Sequence, residues 1–260
     1  RTVYYSIQPF QTEPTTRSMN SSARFLPNGD TVMVVEFGEE IDLHTNRKVT
    51  ALHAAVSALE LASITDLVPT FRSLAIHYDP DIVPFAELEI ELRAILPDLS
   101  SHSFSGRDWS IPACYDLDLS PDLQAVADSC SLSIEQVIRC HSGATYHVYM
   151  VGFLPGYPYL GDLAAEIALP RKITPSLRIP ARSIAIAERM TAVYPIESPG
   201  GWHVIGRTPM RLFDETATPP ALLAPGDRVR FSPVTRHEYD RLSKNDSGVD
   251  DAQPNKNPAT

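Results

Sequence analysis

Tyr146–Gly161 reads YHVYMVGFLPGYPYLG. Six residues suited to a strand run into a loop where glycine and proline recur. No helix of any length can cross that stretch, since each proline removes a backbone donor and clashes with the preceding turn. The texture persists downstream: residues 151–233 hold 12 of the 23 prolines and 7 of the 12 glycines. Between them lie short runs rich in β-branched and apolar residues, at Ser183–Ala187, Trp202–Ile205, Met210–Phe213 and Asp227–Phe231. Many short strands separated by turn residues predict a small barrel or sandwich.

The chain before this stretch has a different grain. Thr31–Phe37 (TVMVVEF) is the pattern of a buried strand. A helix is expected over Leu43–Glu60, with Val49, Leu52, Val56 and Leu59 on one face. Ile64–Thr70 and Ser73–Tyr78 read as a hairpin turned at Phe71-Arg72, and Pro84–Leu96 as a second amphipathic helix with Phe85, Leu88, Leu92 and Ile95 inward. Trp109–Tyr115 supplies a further strand. The order β-α-β-β-α-β predicts a ferredoxin-like domain over 23–115 within an α+β protein. Two short helices follow, Leu123–Cys130 behind Ser120-Pro121-Asp122 and Ile134–His141 behind Ser133, where Gln136 completes a capping box. They lead into the β-rich domain, 116–235. Residues 1–22 and 236–260 are polar and read as a disordered extension and tail. Position 1 is not Met, whereas Met19 stands just before the patterned region, which reads as an upstream extension.

Composition narrows the function classes. The hydrophobic fraction of 43% and charged fraction of 21% are those of an ordinary globular protein. No run of about 18 apolar residues occurs. Three cysteines, Cys114, Cys130 and Cys140, make no disulfide scaffold and no zinc spacing, so a cytoplasmic setting without a metal is expected. A net charge of −10 opposes nucleic-acid binding. The charge is uneven, however. Between Glu166 and Arg211 stand seven bases (Arg171, Lys172, Arg178, Arg182, Arg189, Arg207, Arg211) and three acids. A cationic island in an acidic chain suits a small anion such as a carboxylate or phosphate.

Three loops carry the chemistry-bearing residues: 152–161 with Pro155, Gly156, Tyr157 and Tyr159; 178–183 with Arg178, Pro180 and Ser183; and 194–202 with Tyr194, Ser198, Pro199, Gly200, Gly201 and Trp202. Rigid loops on a barrel are common carriers of sites. No phosphate-binding loop, dinucleotide fingerprint or nucleophile elbow is present. His141, just ahead of the loop-bearing strand, is a candidate base.

At these residues the chain resembles a known family. Cys140-His141-Ser142 followed by Tyr146–Gly161 resembles its HS…YRVYxxGFxPGFPYLGG stretch. Ile179–Ala187 resembles VPAGSVxIA, and Thr191–Pro209 resembles TGxYPxxSPGGWxxIGRTP. Phe25–Asp30, Val34–Gly38 and Val68–Leu74 agree with its amino-terminal half. The family is that of KipI, allophanate hydrolase subunit 1 and the B component of 5-oxoprolinase. The resemblance implies a cyclophilin-like β-barrel after the small domain. It also implies a larger homologous partner subunit, a third subunit, and ATP as co-substrate in opening 5-oxoproline to glutamate. A regulatory protein that inhibits a histidine kinase, and a carboxyltransferase-type module acting on urea-like substrates, are the alternatives it offers. The motifs give membership and not mechanism; from the chemistry of the residues themselves, His141, Ser198 and Arg207 are the expected catalytic residues. Arg171, Arg178, Ser183 and Thr191 join the loop residues as expected substrate contacts. Four departures stand out: Arg182, Glu188 and Ala192 occupy positions where the family commonly has glycine, and Met190 one where it commonly has glutamine.

Overall fold

A computed structural model of the protein describes residues 23–96 and 106–245. The first two strands, β1 (Arg24–Pro27) and β2 (Val32–Glu36), form a hairpin. Helix α1 (Leu43–Ala58) follows, capped by the Asp42 carboxylate, which accepts from the Thr45 amide at 2.8 Å. Strands β3 (Ile64–Pro69) and β4 (Ser73–Tyr78) form the second hairpin. Helix α2 (Phe85–Ile95) starts behind Pro84, with Glu87 in its first turn and Arg93 in its last, both favourable to the helix dipole. Met33, Val35, Leu74 and Ile76 from the sheet meet Val49, Leu52, Val56, Leu88 and Leu92 from the helices in one core. Leu59, expected on the buried face of α1, caps the helix and is exposed.

The small sheet has the order β1-β2-β4-β3, antiparallel throughout. This corrects the expected β-α-β-β-α-β unit. Its edge position is held by β1, which precedes the first helix, and not by the strand that follows α2. That later strand, β5 (Asp108–Ala113), leaves the small unit altogether and lies parallel to β13 (Arg228–Pro233).

The second sheet therefore gains a strand. Helices α3 (Leu123–Cys130) and α4 (Ile134–Ser142) come first, and the expected capping box is present at Ser133 and Gln136. Then come β6 (Tyr146–Val151), β7 (Pro158–Gly161), β8 (Ser176–Ile179), β9 (Ser183–Ala187), β10 (Met190–Val193), β11 (Ser198–Gly200) and β12 (His203–Arg207). Seven strands order as β12-β9-β10-β7-β6-β13-β5. The ends nearly close on themselves, because Cys114, just past β5, exchanges two backbone hydrogen bonds with Arg207 of β12 at 2.8 and 2.9 Å. Strands β8 and β11 stand apart as a two-stranded ribbon. Met210–Phe213, expected as a strand, is loop with a single bridge at Phe213. Residues 236–245, expected in the disordered tail, form helix α5 (Arg236–Asn245), where Tyr239 is buried and Arg236 pairs with Asp240 one turn on. The expectations for 1–22 and for the remainder of the tail lie outside the described residues. Among the described residues no helix is long and apolar enough to cross a membrane.

The two units meet over a buried polar junction. Asn46 of α1 donates from its amide to the carbonyls of Thr70, Phe71 and Tyr149 at 3.0, 3.0 and 3.1 Å, and its Oδ1 lies 2.8 Å from His147 Nε2. A buried amide is stable only with its groups satisfied, so this side chain fixes the small unit against β6.

Candidate functional site

Strand β9 is buried on both faces, and its alternation sorts the barrel into an inside and an outside. Ile184 and Ile186 join the inner core with Val148, Leu160, Val193 and Phe231. Ala185 and Ala187 face the other way, beside Ala192 of β10 and Val204 of β12. These small side chains leave room above them for rings. Tyr157, Tyr194, Trp202 and the half-buried Tyr159 fill it, with Tyr157 centred 5.1 Å from Tyr159, 5.1 Å from Tyr194 and 6.1 Å from Trp202. Phe71 of the small unit reaches the same face, 5.4 Å from Tyr159 and 6.1 Å from Tyr149. The edge-on geometries are those favoured by ring quadrupoles.

Glycines are needed here for close approach. A side chain at Gly200 would place its Cβ 2.3 Å from the Tyr194 hydroxyl, and one at Gly161 would meet the Tyr149 ring at 2.0 Å. Gly156, in the left-handed region at φ +74°, would meet Phe213 at 2.7 Å. Gly201 has only ordinary contacts.

Burial raises the pKa of Tyr157, Tyr159 and Tyr194 above the usual phenol value, so all three are protonated donors at neutral pH. The Tyr157 and Tyr194 hydroxyls are hydrogen-bonded to each other. Against that upward shift stands one cation common to all three, Arg171. Its guanidinium carbon lies 6.0 Å from the centre of the Trp202 ring. The Lys172 amide, bonded to the Gly201 carbonyl at 2.8 Å, ties its segment to the loop that carries Trp202.

Five of the six other bases of the cationic island are occupied, the sixth being Arg189, exposed in the turn between β9 and β10. Lys172 pairs with Asp122 at 2.8 Å, Arg178 with Glu197 at 2.7 Å and Arg211 with Asp214 at 3.2 Å. Arg207 donates to the Ala181 carbonyl at 3.0 Å and Arg182 to that of Pro209 at 2.9 Å. Arg171 has no carboxylate partner among the described residues. Of the expected contacts, Tyr157, Tyr159, Arg171, Tyr194, Gly200, Gly201 and Trp202 are brought together. Pro155 and Pro180 lie outside the strands, Pro199 is the central residue of β11, and Ser183 is buried at the start of β9. Ser198, half-buried on the ribbon, donates to the Pro199 carbonyl at 3.2 Å.

His141, expected as a catalytic residue, lies away from the aromatic face, and that expectation is corrected. It is fully buried in the inner core, with its ring stacked 4.6 Å from Phe231. Thr191, expected as a substrate contact, is sealed in with it. The Thr191 hydroxyl donates to the Ala185 carbonyl at 3.1 Å, so it accepts from His141 Nε2–H at 2.9 Å. Nδ1 is then unprotonated and accepts from the Tyr115 hydroxyl at 2.7 Å. Burial holds the imidazole neutral, with a pKa lowered to about 3. This is a core histidine with both ring nitrogens satisfied.

Sequence reasoning missed Asn46, Phe71, Tyr149 and His147, which join the small unit to the aromatic face. One available signal was Asn46 itself, a polar side chain in the first turn of α1 in line with the apolar face that begins at Val49.

Two of the three departures from glycine also show what the backbone asks for there. Arg182 and Glu188 both sit in the left-handed region, at φ +69° and +52°. A residue with a Cβ is strained there by roughly 1–2 kcal/mol. For Arg182 the bond to Pro209 offsets part of that. Arg182→Gly should therefore stay within about 1 kcal/mol of the parent in urea denaturation, strain relief and lost hydrogen bond nearly cancelling. Arg182→Val, β-branched at the same φ, should lose about 2 kcal/mol or more. Equal loss in both would place the requirement in the arginine side chain.

Known proteins share both the sequence and the fold. Residues 23–223 match the carboxyltransferase domain, subdomain C and D. The B component of 5-oxoprolinase from Bacillus subtilis (strain 168) is 38% identical over 222 residues, 81% of this chain and 92% of that protein. The crystal structure of TTHA0988 aligns with a TM-score of 0.71 at 35% identity, over 78% of this chain and 40% of that one. This chain thus spans about two fifths of TTHA0988. The urea amidolyase of K. lactis aligns with a TM-score of 0.69 at 21% identity, over 91% of this chain and 16% of its own, a likeness of fold alone.

Proposed function

The chain belongs to the family of carboxyltransferase domains, subdomain C and D, and on that premise we propose that it is the B component of an ATP-dependent 5-oxoprolinase. In this reading it acts with companion subunits to open 5-oxo-L-proline to L-glutamate, and β5–β13 with α3 and α4 form the cyclophilin-like unit of the family. Free thiols at Cys114, Cys130 and Cys140 suit a cytoplasmic complex.

The observation that carries the reading is Arg171, an exposed cation without a carboxylate partner among the described residues, set among three protonated phenols and an indole. 5-Oxoproline is a flat five-membered lactam with one carboxylate. Arg171 would hold that carboxylate by a charge-assisted pair. The ring would lie against Tyr159 and Trp202, and phenolic O–H groups would donate to its oxygens. A lactam carbonyl is a poor electrophile, and ATP supplies the activation by phosphorylating the carbonyl oxygen. What this chain contributes is position: it orients the lactam so that the activated carbon faces the attacking water. ATP is the co-substrate of the complex in this reading.

The test is reconstitution. ATP-dependent release of glutamate from 5-oxoproline should require this chain in addition to the companion subunits. Turnover that is equally fast without it, in a mixture shown to assemble, would remove it from the enzyme.

A further inference from the structure

The ribbon of β8 and β11 carries an apolar face that the rest of the described chain leaves uncovered. Ile179 and Leu177 alternate onto the same face of β8. Ile179 is buried against Tyr194 and Trp202 in the aromatic cluster, yet Leu177, two residues back, is 92% exposed. Ile173, just before the strand, is fully exposed. Ile196, ahead of β11, and Phe153, whose ring stands 5.4 Å from Tyr157, are exposed as well. Fully solvated aliphatic side chains on adjoining elements mark an interaction surface. The base of this arm is not loose: Lys172 Nζ donates to Asp122 at 2.8 Å and to Ser176 at 2.8 Å. A firm base with an apolar tip is the form of a docking element.

Charge narrows the occupant. Arg171, which has no carboxylate partner among the described residues, flanks the tip on a chain whose net charge is −10, while Arg178 is paired with Glu197. In a two-fold contact a second copy of the same chain would set Arg171 near its own counterpart, like charge facing like. The solved relative TTHA0988 carries about three fifths of its length outside the part this chain matches, so there the equivalent unit has further chain attached to it. We propose that the β8–β11 ribbon, with Ile173 and Leu177 at its tip, is the docking arm for the larger companion subunit, which seats the two aliphatics in an apolar recess rimmed by carboxylates and thereby covers the Arg171 site. The inference rests on the 5-oxoprolinase reading, since it assigns the arm to that complex.

The experiment compares the full chain with its Ile173→Asp/Leu177→Asp variant in calorimetric titration against the purified larger companion subunit. Both residues are exposed, so the circular dichroism and Tm of the variant should match the parent. Its Kd should be weaker by about a hundredfold, as expected when two anchoring side chains are replaced by charges. Ile90→Asp, on the exposed face of α2, should bind like the parent. Unchanged affinity in the double variant would overturn the docking arm, and if Arg171→Ala still lowered kcat/KM in that complex, the enzyme reading would stand without it. A parent chain that binds no companion subunit would overturn both. A chain that sediments alone as a dimer, broken by the double variant, would overturn the assignment by making a second copy the occupant.

Discussion

Arg171→Ala is expected to lower kcat/KM for 5-oxoproline by about a thousandfold in the reconstituted complex while leaving the Tm of the chain unchanged. The two halves of that expectation rest on different physical grounds. Removing one member of a hydrogen-bonded charge pair in a covered site costs roughly 2–5 kcal/mol. At about 1.4 kcal/mol per factor of ten, this is on the order of thirty- to several-thousandfold. Stability should not follow, because Arg171 is exposed and pairs with no carboxylate among the described residues. The loss should fall mainly on KM, since a carboxylate remote from the reacting carbonyl is held alike in ground and transition states. Arg171→Lys should recover part of it, keeping the charge but not the two-pronged geometry. The sharpest control is 2-pyrrolidinone, the same lactam without the carboxylate. Parent and Arg171→Ala should turn it over equally slowly. If the variant lost as much on 2-pyrrolidinone as on 5-oxoproline, Arg171 would not be the carboxylate anchor.

Much of this arrangement was legible beforehand, and the exceptions share a cause. The strands at Tyr146–Val151 and Ser183–Ala187, and the capping box at Ser133, follow from local pattern and stand where expected. Strand β5 reads locally as a strand and is one, but nothing within Asp108–Ala113 states that its partner lies at Arg228–Pro233. Register partners more than a hundred residues away are a tertiary fact. β1 is four residues long with mostly exposed side chains, so it offers no alternation to detect. The site divides the same way. The three loops announced themselves by glycine, proline and aromatic residues, and two of them do converge on the aromatic face. Which arginine serves that face did not follow from composition. Arg178 and Arg207 are equally basic in sequence, but Glu197 occupies one and the Ala181 carbonyl the other. His141 misled for a related reason: a histidine at a helix end can serve as a base or fill a core, and only its surroundings decide.

Those surroundings also decide how the protein responds to acid. An unfolded histidine takes up a proton near pH 6.5, whereas burial keeps folded His141 neutral down to about pH 3. Between those values the unfolded state binds more protons than the folded one, so stability rises with pH and is lost as pH falls. From pH 7 to pH 4 this one group should remove about 3 kcal/mol from the unfolding free energy. No acid facing the ring offsets the effect, since its partners are Tyr115, Thr191, Tyr146 and Phe231. His53 and His147, whose pKa values burial also lowers, act in the same direction and will add to the measured slope. The contribution of His141 is therefore read from a difference. His141→Gln keeps one donor and one acceptor for Thr191 and Tyr115 but cannot titrate. In urea denaturation at pH 7 it should be less stable by about 2 kcal/mol, from lost ring packing. By pH 4 that gap should have closed and reversed by about 1 kcal/mol, because only the parent has continued to lose stability through this site. A gap that stays constant from pH 7 to pH 4 would mean that position 141 takes up its proton in the folded state, and the Tyr115–His141–Thr191 chain would then be open to solvent and not sealed.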